Sequence, residues 1–456
     1  MTGKPLQALL LTIEGLPGAI AGALVALGAL VVMKRPALGP PLIAAVAFLL
    51  PFAVPPLEVF SLSPSFLDFA LFFGLAAWWV PLLRHHPPRP LTGPLGFPLL
   101  LFLIVALVSF VIAWERTTPP QARMFLKLID SVLLYFTVIN VIRSQGQLEG
   151  ALRVAVVCAT IAGLFGVVLY LLPEHLDYNI RDALSMVGYP GGSSIVRQIA
   201  GTEIRRATGT AVDPNLLGGM LALAVPVATA QALGSRPLLP RRLLWCAVLL
   251  MLAAQVLSYS RGAWLASGTG LAVVALLRYP KAWLVLAVIP LFLILPQGEV
   301  IVDRAASALG ATDPASQMRL GEYKDALALI ARYPLFGVGF GRPPEATLYV
   351  GVSNIYLLIA EMMGLAGLAV FVAVLGWLAA QVLARIVGTS GRPDPSLAGA
   401  AGAVAAALAA GFVDHYFFNP QIPHTTTLFW LFVGLLARAA AIHGRQTNAL
   451  SFHREG

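Results

Sequence analysis

LLWCAVLLMLAAQVLSYSRGAWLASGTGLAVVALL, residues 243–277, holds two apolar runs, 243–257 and 262–277, separated by a short polar turn of Ser258, Tyr259, Ser260 and Arg261. Runs of this kind read as helices in or near a bilayer, where about 17–25 apolar residues make one span. Arginine at the mouth of such a segment costs roughly 2.5–3.5 kcal/mol on insertion scales, and an ionisable group so placed marks a functional site by default. With two serines and a tyrosine beside it, Arg261 is positioned to meet an anion.

Composition extends the membrane reading to the whole chain. It is 58% hydrophobic and 11% charged, against about 25% charged in soluble domains, and its mean hydropathy is +0.83. Further apolar runs fall at 17–33, 41–56, 65–83, 96–114, 124–142, 150–172, 213–233, 282–296, 355–384, 396–414 and 424–440. The expectation is an all-α polytopic bundle of about 12–14 transmembrane helices, a single integral membrane domain over residues 1–456 in contact with membrane lipids. No cleavable signal peptide is expected, because the apolar patch at 5–12 is too short. Cys158 and Cys246 lie inside apolar runs, away from disulfide or metal spacing. No two histidines have metal spacing, so neither a metal nor another cofactor is expected.

The net charge of +9 raises the question of nucleic acid, but its distribution answers it. Lys34, Arg35, Arg84, Arg89, Arg143, Arg153, Arg236, Arg241, Arg242, Arg278, Lys281, Arg385, Arg392, Arg438, Arg445 and Arg454 all fall on one face of the alternating topology. The short loops of the other face hold only Arg116, Arg123 and Arg261. The positive-inside rule makes the first face cytoplasmic, with the C-terminus inside. No nucleic-acid partner is expected.

Two long loops, 173–212 and 297–352, share the outer face with Arg261. They carry Arg181, Arg197, Arg205, Arg206, Arg304, Arg319, Lys324, Arg332 and Arg342, so cationic charge is expected to converge there. In the second loop, Asp313-Pro314 reads as an N-cap followed by proline at the first helical position. Leu320, Tyr323, Leu327 and Ile330 follow at helical spacing, which predicts an amphipathic helix across the mouth of the bundle with these residues as its apolar face. Asp213-Pro214 repeats the cap pattern. Gly337, Gly339 and Gly341 read as a tight turn letting backbone approach helix ends or a ligand. The Ala/Gly-rich stretch 399–411 predicts close helix contacts through small residues. In GFVDHYFFNPQ, Asp414, His415 and Asn419 stand at an outer helix end, and His175 and His424 read as loop residues.

Arg206 and Arg261 sit just outside successive segments. Either could simply snorkel to lipid headgroups; together they read as guanidinium forks for a diphosphate, whose bidentate recognition favours arginine over lysine.

Four stretches, in order, resemble the O-antigen ligase and polymerase superfamily of membrane glycosyltransferases. RRATGTAVDPNLLGG (205–219) is similar to the family's Arg-x-x-Gly-Thr…Pro-Asn segment, and SYSRGAWLA (258–266) to its Ser-x-Ser-Arg-Gly signature. RLGEYKDALALIARYPLFGVGFG (319–341) resembles its periplasmic amphipathic helix and closing Pro-Leu-x-Gly-x-Gly turn. SNIYLLIAEMMGLAGL (353–368) resembles the helix that follows, with Glu361 and Gly364 in familiar places. The resemblance covers about residues 200–385. It implies an undecaprenyl-diphosphate-linked glycan donor, a hydroxyl on a glycan or lipid A-core acceptor as nucleophile, inversion at the anomeric carbon, and a site facing the periplasm. Arg206 and Arg261 are then the expected catalytic cations, with His415 as base ahead of Asp414, Asp213 and Glu322. Arg205, Arg319, Asn215, Ser258, Ser260, Ser353 and Asn354 are expected to contact substrate. Ser353-Asn354 departs from the His-Asn common among ligases, and serine is a poor substitute for a basic imidazole. The rival reading is a transporter or flippase of lipid-linked sugars, which would more usually show internal symmetry or polar groups near mid-membrane.

Overall fold

The computed structural model describes residues 11–13, 15–59, 63–83, 93–189, 197–199, 202–279, 281, 284, 314–343, 351–387 and 392–455. Within these the chain is an all-α polytopic bundle. Its fourteen α-helices are α1 (Gly15–Lys34), α2 (Gly39–Leu49), α3 (Phe66–Trp79), α4 (Gly96–Ile112), α5 (Pro119–Val141), α6 (Gln145–Leu171), α7 (Glu174–Ser185), α8 (Pro214–Leu233), α9 (Arg241–Leu257), α10 (Arg261–Leu277), α11 (Pro314–Arg332), α12 (Ile355–Val387), α13 (Pro395–Ala410) and α14 (Pro423–Glu455). The one sheet among the described residues is a three-residue antiparallel pair, β1 (Leu11–Ile13) with β2 (Leu57–Val59), Leu11 opposite Val59. Twelve of the thirteen expected apolar runs fall on helices; the run at 282–296 lies outside the described residues. Six helices are long and apolar enough to cross a membrane, and five further apolar helices have 10–17 residues.

The centre of the bundle is α8, packed against α10 and α13 and almost wholly enclosed by protein. Small residues make this possible. Pro226 of α8 lies where a β-carbon on Gly270 of α10 or Gly402 of α13 would intrude, and Gly399 abuts Val227, which is the close packing expected of 399–411. Polar knots lock the layers. Gln255 of α9 donates to Gly218 O at 2.8 Å and accepts from Ser267 Oγ at 2.9 Å, while Trp264 Nε1 donates to Gln255 O at 3.0 Å. In a medium that offers few competing partners, satisfied groups of this kind fix helix register.

The helix α12 is interrupted at Gly364, whose φ of 70° and ψ of −176° are non-helical. The turn after α11 docks into the break. Leu365 N donates to Pro334 O at 2.7 Å, Val338 N to Glu361 O at 2.8 Å and Gly339 N to Met362 O at 2.9 Å. A β-carbon on Gly364 would collide with the Leu335 carbonyl, and one on Gly337 with the Glu361 carbonyl. The glycine triplet is therefore a tight turn onto a helix break. Arg116 clamps it from the α4 side, donating to Val338 O and Arg342 O, each at 3.2 Å.

Two expectations need correction here. The helix α11 exists, although the proposed cap Asp313 lies outside the described residues, but its buried stripe is rotated. Ala326 and Leu329 are 1% and 5% exposed, whereas Leu320 and Leu327 are 49% and 55% exposed. Tyr323 of the expected face does turn inward, and Arg319 and Glu322 turn inward with it, each finding a polar partner there. His175 and His424 are likewise helical rather than in loops, His175 in α7 and His424 in the first turn of α14, wholly buried against Phe52.

Charge in the first long loop is also more committed than expected. Arg181 donates to Asp177 Oδ1 at 2.7 Å and to Thr208 Oγ1 at 3.0 Å, with both members of the ion pair nearly inaccessible. This network ties α7 to the segment leading into α8. Asp177→Ala leaves the Arg181 guanidinium buried without its counter-ion, and the expected cost is about 3–5 kcal/mol. Thermal unfolding of the purified variant in detergent measures it; an unchanged midpoint would refute the role.

Candidate active site

Three guanidinium groups from three elements converge on one cavity of about 340 Å³ at the end of the bundle where α8 and α10 begin. Arg206 arrives on the segment before α8. Its Nε donates to Ser258 O and its Nη2 to Asn215 Oδ1, both at 2.8 Å. Arg261 is the first residue of α10, and its Nη2 donates to Ser316 Oγ of α11 at 3.2 Å. Arg319 reaches in from α11, 3.7 Å from Asp414 Oδ2. Asn215, Ser260, Ser353 and His415 line the polar wall with the carboxyls of Asp213 and Asp414.

Local sequence explains the convergence. Asp213 caps α8, its Oδ1 accepting from Asn215 N at 2.8 Å and Leu216 N at 3.2 Å. Ser260 caps α10 by accepting from Ala263 N. Both helices thus start at the cavity and add the positive ends of their dipoles to the arginines. Each start follows a non-glycine residue at positive φ, Val212 at 64° and Tyr259 at 49°. Such conformations are uncommon, most of all for a β-branched residue, and strained backbone of this kind clusters at sites that must be pre-set.

The far wall comes from the turn between α13 and α14. Asp414 Oδ1 accepts from His415 N at 2.8 Å and lies 3.9 Å from His415 Nδ1. No hydrogen-bond partner among the described residues reaches that buried nitrogen. Burial raises the Asp414 carboxyl above the ordinary carboxylate range, outweighing the opposing pull of His415 and Arg319. A raised pKa means that the contribution of Asp414 to stability is present in acid and lost as pH rises through its folded value. Asp414→Asn stays neutral throughout, so its thermal midpoint is expected to gain on the parent protein's as pH rises from about 4 towards 8. A pH-independent difference between the two would refute this.

The expected contact residues separate into two groups. Arg206, Asn215, Ser260, Arg261, Arg319, Ser353 and His415 line the cavity; Arg205, Ser258 and Asn354 do not. Arg205 points back, with Nη2 donating to Tyr170 O and Leu172 O at 3.1 and 3.0 Å. Ser258 is fully buried and supplies the carbonyl that holds Arg206. Asn354 spends its oxygen capping α12 at Tyr356 N and Leu357 N and its amide on Phe412 O. These three build the site without facing its ligand. Sequence reasoning missed Tyr259, Met318 and Tyr416 in the wall. Tyr259 stood in the quoted turn, but nothing local signalled its left-handed backbone.

These features define a multi-pass membrane protein with a cationic, pre-set cavity at one end of its bundle. Residues 246–372 match the family model described as O-Antigen ligase. The match supports membership of the O-antigen ligase and polymerase family, whose activity is glycosyl transfer in polysaccharide and lipopolysaccharide biosynthesis. The matched segment contains Arg261, Arg319 and Ser353, whereas Arg206 and His415 lie outside it and join the site through the fold. None of the curated proteins compared with the chain matches it.

Proposed function

We propose that the protein transfers a glycan from an undecaprenyl-diphosphate donor to an acceptor hydroxyl on the periplasmic side of the bacterial inner membrane. The observation carrying this reading is the convergence of Arg206, Arg261 and Arg319 on one cavity that also holds His415. The leaving group is a diphosphate, stable and strongly anionic. Catalysis then consists mainly of holding it and stabilising the charge that grows as the bond breaks, which preorganised cations do well in a site shielded from water. The acceptor oxygen attacks the anomeric carbon with inversion. The carbon–oxygen bond to phosphate breaks, its electron pair leaves with the lipid diphosphate, and the hydroxyl proton passes to the His415 imidazole. Ser353, in the position where ligases commonly carry histidine, shares the cavity wall with His415, so an imidazole is available from another part of the chain.

The test supplies purified protein with lipid-linked repeat units alone. A ladder of longer lipid-linked glycans identifies a polymerase; transfer only after addition of a lipid A-core or protein acceptor identifies a ligase. No turnover with any acceptor would sink the enzymatic reading and favour a transporter of lipid-linked sugars.

A further inference from the structure

A second cavity of about 200 Å³ adjoins the first, and His415 is the one described residue that lines both. Its wall differs in chemistry. Among the described residues no lysine or arginine lines it; Glu361, Gln121, Asn419 and Gln421 do, with Phe125 and Phe340 as aromatic neighbours. The floor is the docked turn described above, where Gly339 and Gly341 let backbone lie close to α12 and to the end of α4. Glu361 is half-buried in this wall, and Gln421 is exposed. One carboxylate, three carboxamides and two aromatic rings suit hydroxyl groups and the apolar face of a sugar ring. They do not suit a phosphate, which would meet a carboxylate and no cation.

We propose that this second cavity binds the acceptor as a neutral, hydroxyl-bearing sugar, with His415 standing between it and the donor diphosphate. The inference rests on the glycosyl transfer proposed above. It gives His415 a position for its role: a base must reach the nucleophilic hydroxyl on one side while the anomeric carbon is presented on the other. It also favours a further neutral glycan over a phosphorylated core as acceptor.

The experiment uses full-length protein in nanodiscs, with lipid-linked repeat units extracted from cells as donor. Two probes compete as acceptor: the neutral oligosaccharide hydrolysed from that donor, and a phosphorylated core oligosaccharide. Glu361→Gln is expected to raise the acceptor KM about tenfold or more, the scale of losing a hydrogen bond to a charged group, and the exposed Gln421→Ala about threefold, the scale of a neutral one. The donor KM and the rate at saturating acceptor should stay within about twofold of the parent protein. Acceptor KM values unchanged in both variants, a shift in donor KM instead, or preference for the phosphorylated core would each overturn the acceptor site while leaving glycosyl transfer standing. Absence of any transfer by the unmutated protein would overturn the proposed function, and this inference with it.

Discussion

Arg261→Ala is expected to reduce glycosyl transfer to background, a fall of at least about 10²–10³-fold, the scale of removing one preorganised charge-stabilising donor. The side chain stands at the N-terminus of α10 beside Ser260, with Ser316 of the facing helix holding its Nη2. Nothing else in the cavity occupies that position, since Arg206 is oriented by Ser258 and Asn215 and Arg319 by Asp414. Arg261→Lys keeps the charge but not the fork, so an intermediate loss is expected. The effect should fall on the chemical step and on donor affinity together. Membrane insertion and the thermal midpoint should change little, because α10 is anchored by apolar packing against α8 and α13. Polymer or transfer product at the parent level from Arg261→Ala would remove the residue from the mechanism.

His415→Gln should lower turnover by about 10²–10⁴-fold, the usual contribution of a positioned general base, with donor KM little changed. The loss should fall on the rate at saturating donor and acceptor rather than on either KM, which a merely structural histidine would not do. The position of Ser353 in the same wall supplies a second check. Adding Ser353→His to His415→Gln should recover part of the lost rate, whereas Ser353→His alone should do little. If the double variant is no better than His415→Gln, the base lies elsewhere, with Asp414 the first alternative.

The membrane architecture was legible because a bilayer imposes length and apolarity on every span, and those are properties of sequence. The start of α8 was legible for a local reason: Asp213-Pro214 carries cap chemistry within two residues. What escaped was set by distant partners. The face that α11 buries holds Leu329 but not Leu320 or Leu327, and it brings in Arg319 and Glu322, one 3.7 Å from Asp414 and the other accepting from Ser353 N at 2.8 Å. Arg205 looked equivalent to Arg206 in the sequence, yet carbonyls of the α6 end claim it. The break in α12 needed both Gly364 and the docking turn, separated by some thirty residues, and the second cavity emerges only once they meet.

The outward leucines of α11 have a mechanical consequence. Leu320 and Leu327 are exposed, while Arg319 of the same helix lines the cavity and Glu322 accepts from Ser353 N. In a bilayer that apolar edge seeks the boundary between headgroups and acyl chains. An α11 drawn to that boundary passes a change in bilayer thickness, through hydrophobic mismatch, to the contacts that tie it to the bundle, Arg319 with Asp414 and Glu322 with Ser353 N.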